Sequence, residues 1–173
     1  PPLLPPSLPP PSAPPFLLLS PIAATMHSTY LLAGHDLSAR KCIDGITGNA
    51  NGWNFCMSDV NVDDPWLSLE VAPGSALGEV RVYAREDCCQ HRLSPFEVWL
   101  SGAPGPPSAA SGAVRCGGTL SVPPTVGPHV GPCAGMPLAS YVTVLLPGSQ
   151  RVMMLAEVQL WGSLPPPAPP SLP

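Results

Sequence analysis

The chain has 173 residues, 28 of them proline, with seven basic and eleven acidic residues and a net charge of −4. The missing basic surplus argues against nucleic acid as a partner, and no apolar run approaches the roughly 18 residues of a membrane-crossing helix. Six cysteines without a C-x-x-C pair, and histidines scattered at 27, 35, 91 and 129, disfavour zinc and point to disulfides made in an oxidising compartment.

Residues 1–15 are almost only Pro, Leu and Ser, and residues 164–173 repeat that composition. Such tracts cannot form a core and favour extended polyproline II. Residues 1–20 and 164–173 are therefore expected to be proline-rich linkers to other modules, and residues 21–163 one domain. The chain starts inside a proline tract without a Met, so the expectation is a piece of a longer modular protein. The apolar stretch 16–20 is short and has no basic flank, so it is not expected to be a signal peptide.

A short helical turn is plausible over 37–41. The stretch 44–52 (DGITGNANG) packs Asp, Asn and Gly into a tight bend that aims carbonyl oxygens inward. Two readings are open there: a turn held by Asx hydrogen bonds, or a Ca²⁺ loop, since calcium takes about 6–8 oxygens and accepts backbone ligands. Alternating apolar and polar residues predict strands over 66–71, 77–83, 96–100, 141–146 and 153–161. Pro73-Gly74, Pro104-Gly105-Pro106 and Pro147-Gly148 separate them, and 101–113 and 122–137 read as Gly/Pro-rich loops. Short strands with such turns and no long 3.6-residue period predict an all-β sandwich.

The densest chemistry lies in 85–92 (REDCCQHR). Adjacent Cys88 and Cys89, if bonded to each other, display two sulfurs as one apolar knob. Arg85 and Arg92 flank the knob with planar, permanently charged forks. That combination suits a polar ring with one apolar face, as in a sugar; the plainer reading is a structural disulfide with two surface arginines. Elsewhere, no G-x-S-x-G, G-x-x-x-x-G-K or H-E-x-x-H occurs, and no nucleophile–base set is visible, so catalysis is not expected. Asp63-Asp64 before Pro65 reads as a solvated turn, Met153-Met154 as core filling, and Trp66, Trp99 and Trp161 as core or core-edge residues. Trp53, in the polar loop, is the tryptophan expected to be exposed.

Several stretches together resemble the fucolectin branch of the F5/8 type C, discoidin-like galactose-binding domains. They are Ala23-Ala-Thr, Cys42-Ile-Asp-Gly45, Asp64-Pro-Trp-Leu-Ser-Leu69, the R-x-D-C-C-x-x-R-L element from Arg85 to Leu93, Tyr141-Val-Thr-Val-Leu-Leu-Pro147 and Glu157-Val-Gln-Leu-Trp-Gly162. The resemblance covers about residues 23–162, and the double-arginine, double-cysteine element is its most specific piece. It implies an eight-stranded antiparallel jelly roll with loops gathered at one end, a structural calcium and a shallow fucose site. Arg85 and Arg92 match the family's sugar-binding arginines, and Cys88 and Cys89 its vicinal disulfide.

A third family member of that site is a His, and Ser58 stands in its place. Ser is shorter and never charged, so the resemblance implies weakened or altered fucose binding. For calcium it implies the carboxylates of Asp44 and Glu157 with backbone carbonyls near Lys41, Ile46, Phe55 and Ala156. In the family the loop cysteine, Cys56 here, pairs with a cysteine just before the C-terminal Glu; Ala156 stands at that position, and this chain has Cys42 instead. The implied pairing is Cys42–Cys56, Cys116–Cys133 and Cys88–Cys89. The expectation overall is a secreted carbohydrate-binding module of an extracellular matrix or cell wall, whose partners are glycans, possible fucose-containing ones among them. The alternative is an adhesion module that keeps only the fold.

Overall fold

In the computed structural model, residues 16–48, 52–108 and 110–165 are described. Of the expected linkers 1–20 and 164–173, residues 1–15 and 166–173 lie outside the described residues. Nine strands form among the described residues: β1 (Leu17–Leu19), β2 (Ala23–Met26), β3 (Cys56–Met57), β4 (Trp66–Ala84), β5 (Phe96–Ser101), β6 (Val114–Leu120), β7 (His129–Pro132), β8 (Leu138–Leu145) and β9 (Met154–Ser163). Single 3₁₀ turns occupy Ala39–Cys42 and Gln90–Leu93.

β4 organises the molecule. The two runs read separately from the sequence, 66–71 and 77–83, are one bent strand. Its register breaks between Glu70 and Ser75, around Gly74, whose φ of 82° is a left-handed value that glycine tolerates best. The first half pairs with β2 and β8, and β8 continues to β5 and β6; the second half pairs with β9 and β7. All of these pairings are antiparallel. One bent strand therefore serves two layers, and the chain forms the all-β antiparallel sandwich expected from its alternation.

The core lies between the layers. Leu67 is opposite Val144, Leu69 opposite Val142, Val80 opposite Leu160 and Val82 opposite Val158, and all eight are buried. Burying side chains of this size contributes about 1.5–3 kcal/mol each. A smaller cluster of Leu37, Phe55, Met57 and Met154 sits apart from the main core.

Three expectations change. β1 lies inside 1–20, the segment expected to be linker: Leu17 to Leu19 pair with Gly162 to Leu160, so this apolar run extends the sheet past β9. β7 lies inside the expected loop 122–137, where Val82↔His129 through Glu79↔Pro132 pair with β4, a partner far away in sequence. The strand count is nine where the resemblance implied eight, two of the nine being fragments of two and three residues. The implied disulfides Cys42–Cys56, Cys88–Cys89 and Cys116–Cys133 are all formed. Cys116–Cys133 ties β6 to the residue after β7.

Candidate functional site

Arg85 follows the last residue of β4, and Arg92 sits in the Gln90–Leu93 turn. The connection between them is closed by its own groups. Gln90 Nε2 donates to the carbonyls of Arg85 (2.9 Å) and Glu86 (3.0 Å), and the Arg92 amide donates to the Cys89 carbonyl (3.0 Å). Cys89 itself has a left-handed φ of 69°, unusual for a non-glycine residue. The vicinal ring thus forms the bend that turns the chain from one arginine to the other, and both cysteines are half-buried.

The Arg85 guanidinium is locked on two sides. Nε and Nη2 bind Asp87 in a fork-to-fork pair at 3.0 and 2.6 Å, and Cζ lies 3.9 Å from the centre of the Phe55 ring. Bidentate pairing and ring stacking fix orientation as well as adding energy. Two of five N–H donors go to Asp87, leaving donors for another acceptor. Arg92 points Nη1 at Met154 Sδ, 3.0 Å away. Phe55 and Met154 belong to the same small apolar cluster, so residues 99 positions apart in sequence floor both arginines from one patch.

Ser58 is placed differently from a ligand contact. It is fully buried, its hydroxyl donating to the Asp59 carbonyl (2.9 Å) and accepting from the Met153 amide (2.9 Å). Both roles serve the backbone. Trp53, expected to be exposed, is 44% so; His35 stacks on it at 4.0 Å, and it stacks in turn on Phe55 at 5.9 Å.

The calcium candidates gather at the neighbouring loop. Glu157 on β9 is buried and accepts from the Gly45 amide at 3.2 Å, which brings it to Asp44 across more than a hundred residues. Burial pushes the Glu157 carboxyl up to about 7; the hydrogen bond from Gly45 opposes the rise and the charge of Asp44 adds to it. Among the described residues no Lys or Arg pairs with Glu157. Lys41 Nζ instead stands 3.6 Å from Asp44 Oδ2. Asp44 Oδ1 accepts from the Ile46 amide (3.1 Å), and Asn54 Nδ2 bridges Asp44 Oδ1 (3.5 Å) and the Ile46 carbonyl (3.4 Å).

A buried carboxylate beside a like charge is chemistry that a hard dication would relieve, and the backbone groups that reach Glu157 here are the amides of Gly45 and Asp44. Only two carboxylates take part, and among the described residues no group of three or more His, Cys, Asp or Glu is placed to hold a metal ion. Phe55 and Ala156, both fully buried, would contribute carbonyls, as would Lys41 and Ile46. Cys42–Cys56 closes this loop against β9 through β3.

Asp87, Gln90 and Phe55 hold the arginines, and sequence reading assigned none of them that role. The R-x-D spacing carried the first, because two positions in a bend suffice for a carboxylate to return to a fork; nothing local marks Gln90 or Phe55.

No family model matches the chain, and no curated protein is similar to it. Solved structures are similar. An f-lectin (fucolectin) from striped bass (Morone saxatilis) serum superposes with a TM-score of 0.69 at 27% identity, over 81% of this chain and 46% of that one, so the chain spans about half that lectin. A fucose binding module from Streptococcus pneumoniae gives 0.66 at 21% identity, over 85% and 96%. The family 32 carbohydrate-binding module of Clostridium perfringens NanJ, in complex with galactose, gives 0.64 at 11%, over 84% and 98%. The fold of this chain is therefore the antiparallel β-sandwich that these fucolectin and family 32 modules share.

Proposed function

We propose that the domain is a non-catalytic carbohydrate-binding module of the extracellular space, stabilised by calcium. The observation that carries this reading is the floor shared by the two arginines: Arg85 on Phe55 and Arg92 on Met154, joined by the vicinal Cys88–Cys89 bend. Cationic forks would hydrogen-bond sugar hydroxyls while the disulfide packs on the ring's carbon edge. Similarity to lectin and carbohydrate-binding modules supports the same reading, as do three disulfides. Calcium would be held by Asp44 and Glu157 with neighbouring carbonyls, keeping the loop over β9 in place. The partners would be glycans, with fucose specificity weakened or altered because Ser58 is turned into the core. Proline-rich flanks would space the module from its neighbours, so that multivalent display offsets a weak single site.

That same burial of Ser58 favours a second reading, an adhesion module that has kept the fold without the sugar. A glycan array separates the two. The lectin reading expects binding to at least one glycan, weakened about 10- to 100-fold by Arg85→Ala or Arg92→Ala, as loss of one charge-assisted hydrogen bond gives. A folded protein that binds no glycan supports the adhesion reading.

A further inference from the structure

Arg81, Arg85 and Arg115 each pair with a carboxylate. Arg92 and Arg151 pair with none among the described residues, and both line one cavity of about 410 Å³, within the usual range of ligand pockets. His91, Asn61, Ser94 and Gln150 also line it, and no Asp or Glu does. In a chain with eleven acidic residues and a net charge of −4, a cavity with two guanidiniums, an imidazole and no carboxylate stands apart.

Arg151 is held from below. Its Nη1 donates to the Pro147 carbonyl (2.7 Å), and its Nη2 to the carbonyls of Arg92 (3.0 Å), Ser94 (3.1 Å) and Pro95 (3.2 Å). Neutral carbonyls fix the guanidinium without cancelling its charge. Two acidic residues near it in the fold accept from backbone amides, Asp63 from Gln150 (3.0 Å) and Asp64 from Gly148 (2.7 Å). The charge of Asp64 still reaches Arg151, though burial is the larger influence on that guanidinium. Arg92 belongs both to this cavity and to the rim with Arg85 and the vicinal disulfide.

We propose that the cavity takes an oxyanion substituent, a carboxylate or a sulfate, on a saccharide whose ring lies at the Arg85–Arg92 rim. The inference rests on the carbohydrate-binding reading and adds to it a substrate class, acidic rather than neutral glycans. Arg92 and His91 would donate to the oxyanion, with the side-chain amides of Asn61 and Gln150 as neutral donors. Arg151 supplies field from the floor. With Ser58 committed to the backbone, such a contact stands in for the one that Ser58 does not make, and a neutral sugar would lack it.

Calorimetric titration tests this with galactose and fucose as neutral probes, galacturonic acid and galactose 6-sulfate as acidic ones, and sodium sulfate alone. At least one acidic sugar is expected to bind about tenfold or more tightly than galactose, with the advantage shrinking as salt rises. His91→Glu should bring that ratio down to about threefold or less at unchanged melting temperature. Preference for galacturonic acid, for the sulfate ester or for both identifies the oxyanion and supports the subsite. Equal binding of neutral and acidic sugars overturns it and leaves the lectin reading standing. Sulfate alone binding as tightly as the sulfated sugar also overturns it, because the cavity would then hold an ion and not a glycan substituent. A folded protein that binds none of these sugars overturns the subsite, and the glycan array then decides the lectin reading.

Discussion

Glu97 shows how single side chains are made to fit this sheet. Burial alone would raise its carboxyl, yet hydrogen bonds from Thr119 (2.5 Å) and Trp99 Nε1 (2.8 Å), with the Arg115 guanidinium at 2.9 Å, hold it below the usual carboxylate range. A depressed folded value means that the unfolded chain binds the proton more readily. The ionised Glu97 therefore contributes stability that is fully present above about 4.5 and lost as pH falls through its folded value. Glu97→Gln is expected to lower stability at pH 7 by about 2 kcal/mol, seen as a melting point about 4–8 °C lower, with a smaller gap below pH 4. Thermal melts across pH check this; an equal gap at pH 3 and pH 7 contradicts it. Arg85 follows the same logic at the site, since Asp87 and Phe55 fix a charge that would otherwise lose rotamer freedom on binding.

Among the elements, what the sequence made legible was what is local. Alternation marked β5, β8 and β9 to within a few residues, and both halves of β4, because period-two burial leaves its print in each strand. β7 escaped because His129-Val-Gly-Pro132 carries two turn-forming residues and owes its strand form to pairing with β4. β1 escaped because an apolar run after prolines looks the same whether it is linker or sheet edge, until Gly162 to Leu160 pair with it. At the site, the arginines and cysteines were legible from their spacing, whereas the Phe55–Met154 floor depends on β3 and β9 meeting. Cys42–Cys56 fastens that meeting point and closes 14 positions of chain. Replacing both cysteines by Ser is expected to destabilise the domain by about 3 kcal/mol on the chain-entropy account. Denaturant titration measures it, and a change below about 1 kcal/mol would contradict a bracing role.

At the scale of the whole molecule, β9 links the proposed functions. Met154 at its start supports Arg92, Glu157 reaches the Asp44 loop, and Leu160 to Gly162 carry the β1 edge. Over ten residues of strand, about 30 Å, the site end is thus separated from the end where β1 enters and Pro165 leaves. Phe16 packs its ring on Gly78, and Pro165 lies beside Gly74, so the chain enters and leaves the described region at that far end. Calcium at the Asp44–Glu157 loop would act on the site end. Calcium at about one hundred times its dissociation constant should raise the melting point by about 5–10 °C, and Glu157→Gln should abolish the rise. No response of the wild type to calcium or to EDTA would remove calcium from the account while leaving the arginine rim untouched.

The most direct measurement is a crystal structure of the domain soaked with a saccharide that it binds. Sugar hydroxyls are expected within hydrogen-bonding distance of both Arg85 and Arg92, with a carbon edge of the ring on the Cys88–Cys89 disulfide. A sugar bound on another face, or held without either arginine, would contradict it.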